Sequence, residues 1–143
     1  MSITYSVCKQ CSGVNKVQRE KALKGEAVCG KCQAALPMHG LVSEVSALGL
    51  QKILKKSELP VIVDFWASWC GPCKVYGPEF EKASTQNTNA VFLKISTETE
   101  QEISAQMGIR GIPCTIIFKN GVEVKRQAGA MSAADVIGLL AGV

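Results

Sequence analysis

The sequence predicts an α/β fold: a mixed β-sheet flanked by helices and ending in an antiparallel hairpin, preceded by a small segment of different character. Three observations carry this. "PVIVDFW" (Pro60 to Trp66) is a near-continuous apolar run, as a strand buried on both faces requires. After it, strand-like and helix-like segments alternate up to a strand, turn, strand, helix ending. Residues 1 to about 37 hold four cysteines, five lysines and one arginine but few bulky apolar side chains. A segment so poor in apolar surface needs a staple to fold.

Taken in order, the elements divide the chain into a first domain, 1–37, a connector at 38–42 within and just beyond "LPMHG" (Leu36 to Gly40), and a second domain, 43–143. "SALGLQKILKKS" places Leu48, Ile53 and Leu54 near helical spacing with its lysines elsewhere. A helix is expected after Gly71 and Pro72, since proline suits a first helical turn, and Pro78 is expected to kink it. "AVFLKI" (Ala90 to Ile95) reads as the next strand, and "TEQE" (Thr99 to Glu102) as a capping-box start for a helix to about Met107. "CTIIFK" and "VEVKRQA" flank Asn120–Gly121, the strongest short hairpin signal. "SAAD" (Ser132 to Asp135) opens the last helix, which Gly138 weakens slightly.

Composition narrows the function classes. The chain has 143 residues, 47% hydrophobic and 20% charged, which suits one domain with a proper core and a small appendage. "MSITYSVCKQ" has neither an apolar run nor a basic leader, so no signal peptide is expected. No stretch approaches the roughly 20 apolar residues of a membrane helix, so the cytoplasm is the expected compartment and no membrane partner is expected. Seven cysteines there point to metal or redox chemistry. The net charge of +4 counts every cysteine as neutral, and four thiolates around one Zn²⁺ would lower it to about +2. That balance, with no basic patch interleaved with aromatics, argues against a nucleic-acid partner.

Cys8, Cys11, Cys29 and Cys32 form C-x₂-C, seventeen residues, then C-x₂-C. Two residues between thiolates let both sulfurs converge on one ion, and a loop of about 15 to 20 residues brings the second pair across. Lys9 and Lys31 lie inside the pairs, where they offset negative charge, and Gly30 permits a tight turn with its amide near sulfur. Two reducible pairs, four unliganded thiols and bound iron are the competing readings. Spacing and the missing core favour one zinc ion, structural because four cysteines leave no open position. Its binding energy is then the segment's folding energy, and the larger domain is expected to stand without it.

Cys70 and Cys73 have no second pair nearby in sequence. In "DFWASWCGPCK" they sit between the buried strand and a helix. Free amides and the helix dipole favour a thiolate at Cys70, which makes it the nucleophile. Cys73, one turn in, is expected to be more covered and to displace a mixed disulfide. Pro72 limits backbone freedom between the two.

"VDFWASWCGPCK", "IRGIPCTIIFKNG" and "GAMS" together resemble the thioredoxin family over about residues 41 to 143, and the Cys₄ segment resembles its zinc-containing bacterial branch, thioredoxin 2. The resemblance implies a thioredoxin-like mixed sheet flanked by helices, with a small N-terminal Cys₄ zinc-ribbon-like domain. It implies a protein-disulfide reductase that acts on disulfide-containing target proteins and is recharged by an NADPH-dependent thioredoxin reductase. The Gly-Pro dipeptide matches the family's reducing branch. An isomerase or oxidase on the same fold, and a binding module whose ribbon docks a partner, are the alternatives.

Residue by residue, the resemblance makes Asp64, which interrupts an apolar strand, the acid that exchanges a proton with Cys73. Burial is expected to raise its pKa. Lys94 matches the lysine near that acid. Pro113 matches the cis-proline facing the disulfide, which turns Ile112's backbone toward an extended substrate. Trp69, Gly71, Pro72, Gly111 and Gly129 complete the substrate groove; Trp69 matches an exposed tryptophan and Trp66 a more buried one. On the residues alone these positions have plainer readings: an internally paired acid, a strand-end lysine, a core tryptophan. His39 reads as a solvated connector residue. Two departures stand out: Cys114 replaces a common threonine and brings a third sulfur near the pair, and "ISTE" after Lys94 lacks the usual Asn or Asp.

Overall fold

The apolar run at Val61–Trp66 organises the molecule around itself. The computed structural model describes residues 3–36, 38–87 and 89–143. Its elements are β1 (Ile3–Val7), β2 (Val14–Gln18), α1 (Arg19–Leu23), β3 (Met38–His39), β4 (Val42–Glu44), α2 (Ala47–Lys56), β5 (Val61–Trp66), α3 (Gly71–Gln86), β6 (Val91–Ser96), α4 (Gln101–Gln106), β7 (Cys114–Lys119), β8 (Val122–Ala128) and α5 (Ala133–Leu140). β1 and β2 form a two-stranded sheet, and the other strands one sheet in the order β3-β4-β6-β5-β7-β8. β4, β6 and β5 run parallel, while β3, β7 and β8 run antiparallel to their neighbours. Asn120 and Gly121 both take left-handed φ, 53° and 78°, as a two-residue hairpin turn demands.

Successive strand side chains face opposite ways, so β5 feeds two cores. Val61, Val63 and Phe65 pack with Leu50 and Ile53 of α2 and with Leu93, Ile95 and Ile116. Ile62 packs with Phe92 and Ile117, with Tyr76, Phe80 and Ala83 of α3, and with Val136 and Leu140 of α5. Asp64 shares that second face by alternation. The buried stripe of α2 is Gly49, Leu50 and Ile53, whereas Leu48 is exposed. The expected helical face is therefore rotated, because α2 meets β1 closely. A Cβ at Gly49 would lie 3.2 Å from Val45 Cβ and 3.3 Å from Val7 Cγ2.

Two local expectations differ from the structure. The capping box at Thr99 is not made: α4 starts one residue later, and Glu100, just before it, accepts a hydrogen bond from the Ala47 amide at 2.6 Å. Residues 38–42, read as a connector, carry β3 and the first residue of β4, which extend the sheet; Pro37 lies outside the described residues. Ser132 does cap α5, accepting from the Asp135 amide at 3.2 Å. Among the described residues no helix is long and apolar enough to cross a membrane.

The cysteine-rich segment is fastened to the rest. Tyr5 and Val7 are buried in the same core as Phe65 and Leu50. Ser43 Oγ donates to the Tyr5 carbonyl at 3.0 Å, Lys52 Nζ to the Ser12 carbonyl at 2.7 Å, and the buried Arg19 guanidinium to the Ser84 carbonyl of α3 at 2.9 Å. A larger domain independent of this segment is not what the packing provides. "ITYSV" is short and mixed, so nothing in its pattern distinguishes a ribbon strand from one that covers the core holding Phe65 and Leu50.

Candidate active site and cysteine cluster

β5 ends at Trp66, and four residues later Cys70 becomes the N-cap of α3, with Pro72 in the first turn. The amide of Cys73 donates to Cys70 Sγ at 3.2 Å, so a backbone N–H is already aimed at the sulfur that would carry charge. Cys70 and Cys73 are joined by a disulfide with a Cα–Cα distance of 5.3 Å. They are 4% and 5% exposed, so greater cover of Cys73 is not what distinguishes them. Their asymmetry is positional: one sulfur receives the helix-start amide.

The cis Ile112–Pro113 peptide lies opposite, with the Ile112 carbonyl oxygen 3.6 Å from Cys70 Sγ. Gly129 closes the loop by donating to the Pro113 carbonyl at 2.8 Å, and its φ of 94° explains the glycine there. A Cβ at Gly71 or Gly111 would meet nothing within 4 Å, so neither glycine is fixed by internal packing. Trp69 is 72% exposed beside the pair, while Trp66 is half-buried against Ala67, Cys70 and Cys73. Glu98 accepts from the Ser68 amide at 2.5 Å, which anchors the loop before Cys70.

Asp64 is 3% exposed, and its Oδ1 is buried with no hydrogen-bond partner among the described residues. Burial pushes its pKa up to about 7, against a smaller pull downward from Lys94. Lys94 is its strand partner on β6, yet the ammonium lies 4.4 Å above the Trp66 ring rather than in an ion pair with Asp64. Cys114 pairs with Phe65 and shares its core, so this third sulfur lies on the sheet face opposite Asp64 and Thr115. Burial pushes the Cys114 thiol up, as suits a packing residue.

The Asp64 carboxyl makes a pH prediction. Between pH 3.8 and about 7 the unfolded chain has lost this proton while the native chain keeps it. Native stability therefore falls as pH rises through that window and levels off above it. The interval is worth about 4 kcal/mol, and asparagine keeps an amide to desolvate, so Asp64→Asn is expected to stabilise the oxidised protein by about 2–4 kcal/mol at pH 8 and far less at pH 4. Urea unfolding across that range checks it; a gap independent of pH would refute it.

The four remaining N-terminal cysteines converge. Their Sγ atoms all lie within 4.8 Å of one another, with Cys8–Cys32 at 3.5 Å and Cys11–Cys29 at 3.6 Å. Metal–sulfur bonds of about 2.3 Å in a tetrahedron put sulfurs about 3.8 Å apart, so the donor set fits a Cys₄ metal. The two pairs share one backbone pattern. Ser12 and Gln33, each following the second cysteine, take left-handed φ of 60° and 67°. Their amides donate to the carbonyls of Cys8 and Cys29, both at 2.9 Å. Non-glycine residues are thus held in the left-handed region at both turns beside the converged sulfurs.

The four cysteines expected to bind a metal do lie together, but the groups that support them were not foreseen. The amide of Lys31, not that of Gly30, donates to Cys29 Sγ, at 3.4 Å; Gly30 donates to Asn15 Oδ1 at 2.9 Å. Amides of Cys32 and Lys31 pull the Cys29 thiol down to about 6. Lys9 pairs with Glu44 at 3.1 Å. A Cβ on Gly13 would press within 3.3 Å of Cys11 Sγ, and a glycine two residues past the first pair was the signal available for it.

Known proteins are similar to this chain over most of its length. A family model described as thioredoxin matches residues 41–141. Thioredoxin C-3 of Corynebacterium nephridii is 37% identical over 131 residues, 91% of this chain and 88% of its own, a span that reaches well into the cysteine-rich segment. Thioredoxin of Mycoplasma genitalium is 39% identical over 99 residues, 69% of this chain and 97% of that one. The crystal structure of Malassezia sympodialis thioredoxin is similar at a TM-score of 0.61 and 31% identity, covering 72% of this chain and 90% of its own.

Proposed function

The chain belongs to the thioredoxin family of disulfide oxidoreductases, and from that premise we propose that it reduces protein disulfides through Cys70 and Cys73, while Cys8, Cys11, Cys29 and Cys32 hold a structural zinc ion. The observation that carries the reading is the Cys73 amide on Cys70 Sγ at the start of α3, with a buried acid of pKa about 7 on the adjoining strand.

In the reduced chain the Cys70 thiolate attacks one sulfur of a target disulfide. The target S–S bond breaks, and the departing thiolate takes a proton from solvent. Asp64 accepts the Cys73 proton, and the Cys73 thiolate attacks Cys70 Sγ of the mixed disulfide. The second target sulfur leaves as a thiolate and is protonated. Two electrons have passed to the target, and the chain is left with the Cys70–Cys73 disulfide. An NADPH-dependent thioredoxin reductase then supplies two further electrons, which reduce the Cys70–Cys73 disulfide.

Trp69, Gly71 and Pro72 line one side of the groove and Gly111, Ile112, Pro113 and Gly129 the other. The Ile112 carbonyl offers an extended target segment a main-chain acceptor beside the attacking sulfur. Lys94 keeps a positive charge near Asp64, which favours release of its proton. A zinc ion bound by four cysteines supplies folding energy and no open coordination position. Reduced thiols on both units suit the cytoplasm.

The test is insulin-disulfide reduction with NADPH and thioredoxin reductase, together with elemental analysis of protein purified without chelator. Steady turnover and about one zinc per chain are expected. Absent turnover, or equilibration with glutathione at an isomerase-like potential, would remove the reductase assignment. Stoichiometric iron, or no metal, would remove the zinc.

A further inference from the structure

The second core holds a polar pair that the mechanism above does not use. The Tyr76 hydroxyl and Thr115 Oγ1 are 2.7 Å apart, and both residues are fully buried. Tyr76 lies one turn beyond Cys73 on α3, and Thr115 is the β7 residue directly opposite Asp64 on β5. Opposed residues on antiparallel strands hold their Cβ atoms about 4.5–5.5 Å apart on the same face. A modest rotation of either side chain therefore brings Thr115 Oγ1 to hydrogen-bond distance of the carboxyl.

Two hydroxyls carry two hydrogens, and their mutual bond uses one. No other hydrogen bond is made by either side chain among the described residues. A stranded hydroxyl hydrogen costs about 1–3 kcal/mol. Three buried polar atoms lack partners among the described residues: Ser6 Oγ on β1, Trp66 Nε1, which is a donor, and Asp64 Oδ1. The spare hydrogen and the spare acceptor are thus neighbours. Burial pushes the Tyr76 hydroxyl up, so it stays protonated and remains a donor.

We propose that Thr115 and Tyr76 are positioning residues for Asp64: the hydroxyl pair turns its free hydrogen to Oδ1 when the carboxyl is ionised and withdraws it when the carboxyl holds a proton. This rests on the reading of Asp64 as the acceptor of the Cys73 proton. The pair would steady the ionised state in a site where burial opposes it, so that the acid can both take and return a proton near neutral pH. The titratable groups around Asp64 are Lys94 from β6 and Tyr76 from α3, with the Cys114 thiol of β7 on the opposite sheet face. The disulfide heads α3, and α5 packs on this face through apolar Ala133, Val136 and Leu140.

The experiment follows the Asp64 carboxyl by carbon-13 NMR in the oxidised full-length chain, beside the pH profile of insulin reduction. Thr115→Val, which removes the hydroxyl and keeps the shape, is expected to raise the Asp64 midpoint by about one pH unit. Thr115→Ser, which keeps the hydroxyl, is expected to restore it. Thr115→Ala is the second hydroxyl-free variant should valine perturb folding. Equal midpoints for the hydroxyl-free and serine variants would overturn the proposal. A shifted midpoint with an unmoved activity profile would uphold the positioning role and sink the proton-acceptor reading of Asp64.

Discussion

Cys70→Ser is expected to abolish insulin-disulfide reduction, by about a thousandfold or more, and to capture no target protein. Cys73→Ser is expected to lose turnover just as fully but to accumulate a mixed disulfide through Cys70. Accessibility does not separate the two cysteines, which are equally buried in the oxidised chain. The direction of the amides does. Cys70 is the N-cap of a helix running Gly71–Gln86, and the Cys73 amide reaches its sulfur at 3.2 Å. A thiolate there is stabilised by a backbone donor and by the helix dipole. Cys73 lies inside the first turn, where its own amide is already spent on Cys70. The Ile112 carbonyl stands beside Cys70 Sγ, so a target strand aligned with that loop meets Cys70 first. Mass spectrometry of trapped complexes separates the roles; equal capture by both variants would remove the assignment.

How much of this was readable depends on the range of the forces involved. The β5 run, the Asn-Gly turn, the Ser132 cap and both kinds of C-x-x-C are local patterns, and each appears where its chemistry demands. Asp64 was legible as an anomaly, a carboxylate in an apolar strand. Its neighbours were not. Tyr76 and Thr115 are 39 residues apart, and only the β5–β7 register places their hydrogen bond beside the acid. Without that register, Tyr76 is one more aromatic residue in an amphipathic helix. Cys114 shows the same limit from the other side. Sequence proximity to Pro113 suggested a third sulfur near the redox pair, but strand alternation turns it into the opposite core. Leu48 and the Thr99 cap shifted because α2 must pass close to β1 at Gly49 and because Glu100 is committed to the Ala47 amide.

The same long-range packing changes what metal loss is expected to do. Mild peroxide is expected to close Cys70–Cys73 first with zinc retained, since metal-bound thiolates cannot attack until the ion leaves. Stronger oxidant then ejects the ion, and the damage is expected to spread beyond the ribbon. β1 leads directly into Cys8, and its Tyr5 and Val7 help cover the core that holds Phe65 and Leu50. Withdrawing those two side chains forfeits about 3–6 kcal/mol of apolar burial. The Arg19 bond to Ser84 and the Ser43 bond to Tyr5 go with them. For a chain of this size the loss corresponds to a fall in Tm of about 10 °C or more. A peroxide titration tests both halves, with zinc release followed by a chromophoric chelator, disulfide closure by mass spectrometry and Tm on the same samples. Zinc loss simultaneous with Cys70–Cys73 closure would join the two cysteine systems into one redox unit. Full zinc loss with an unchanged Tm would show that the core holds without β1, and the ribbon would then be an appendage after all.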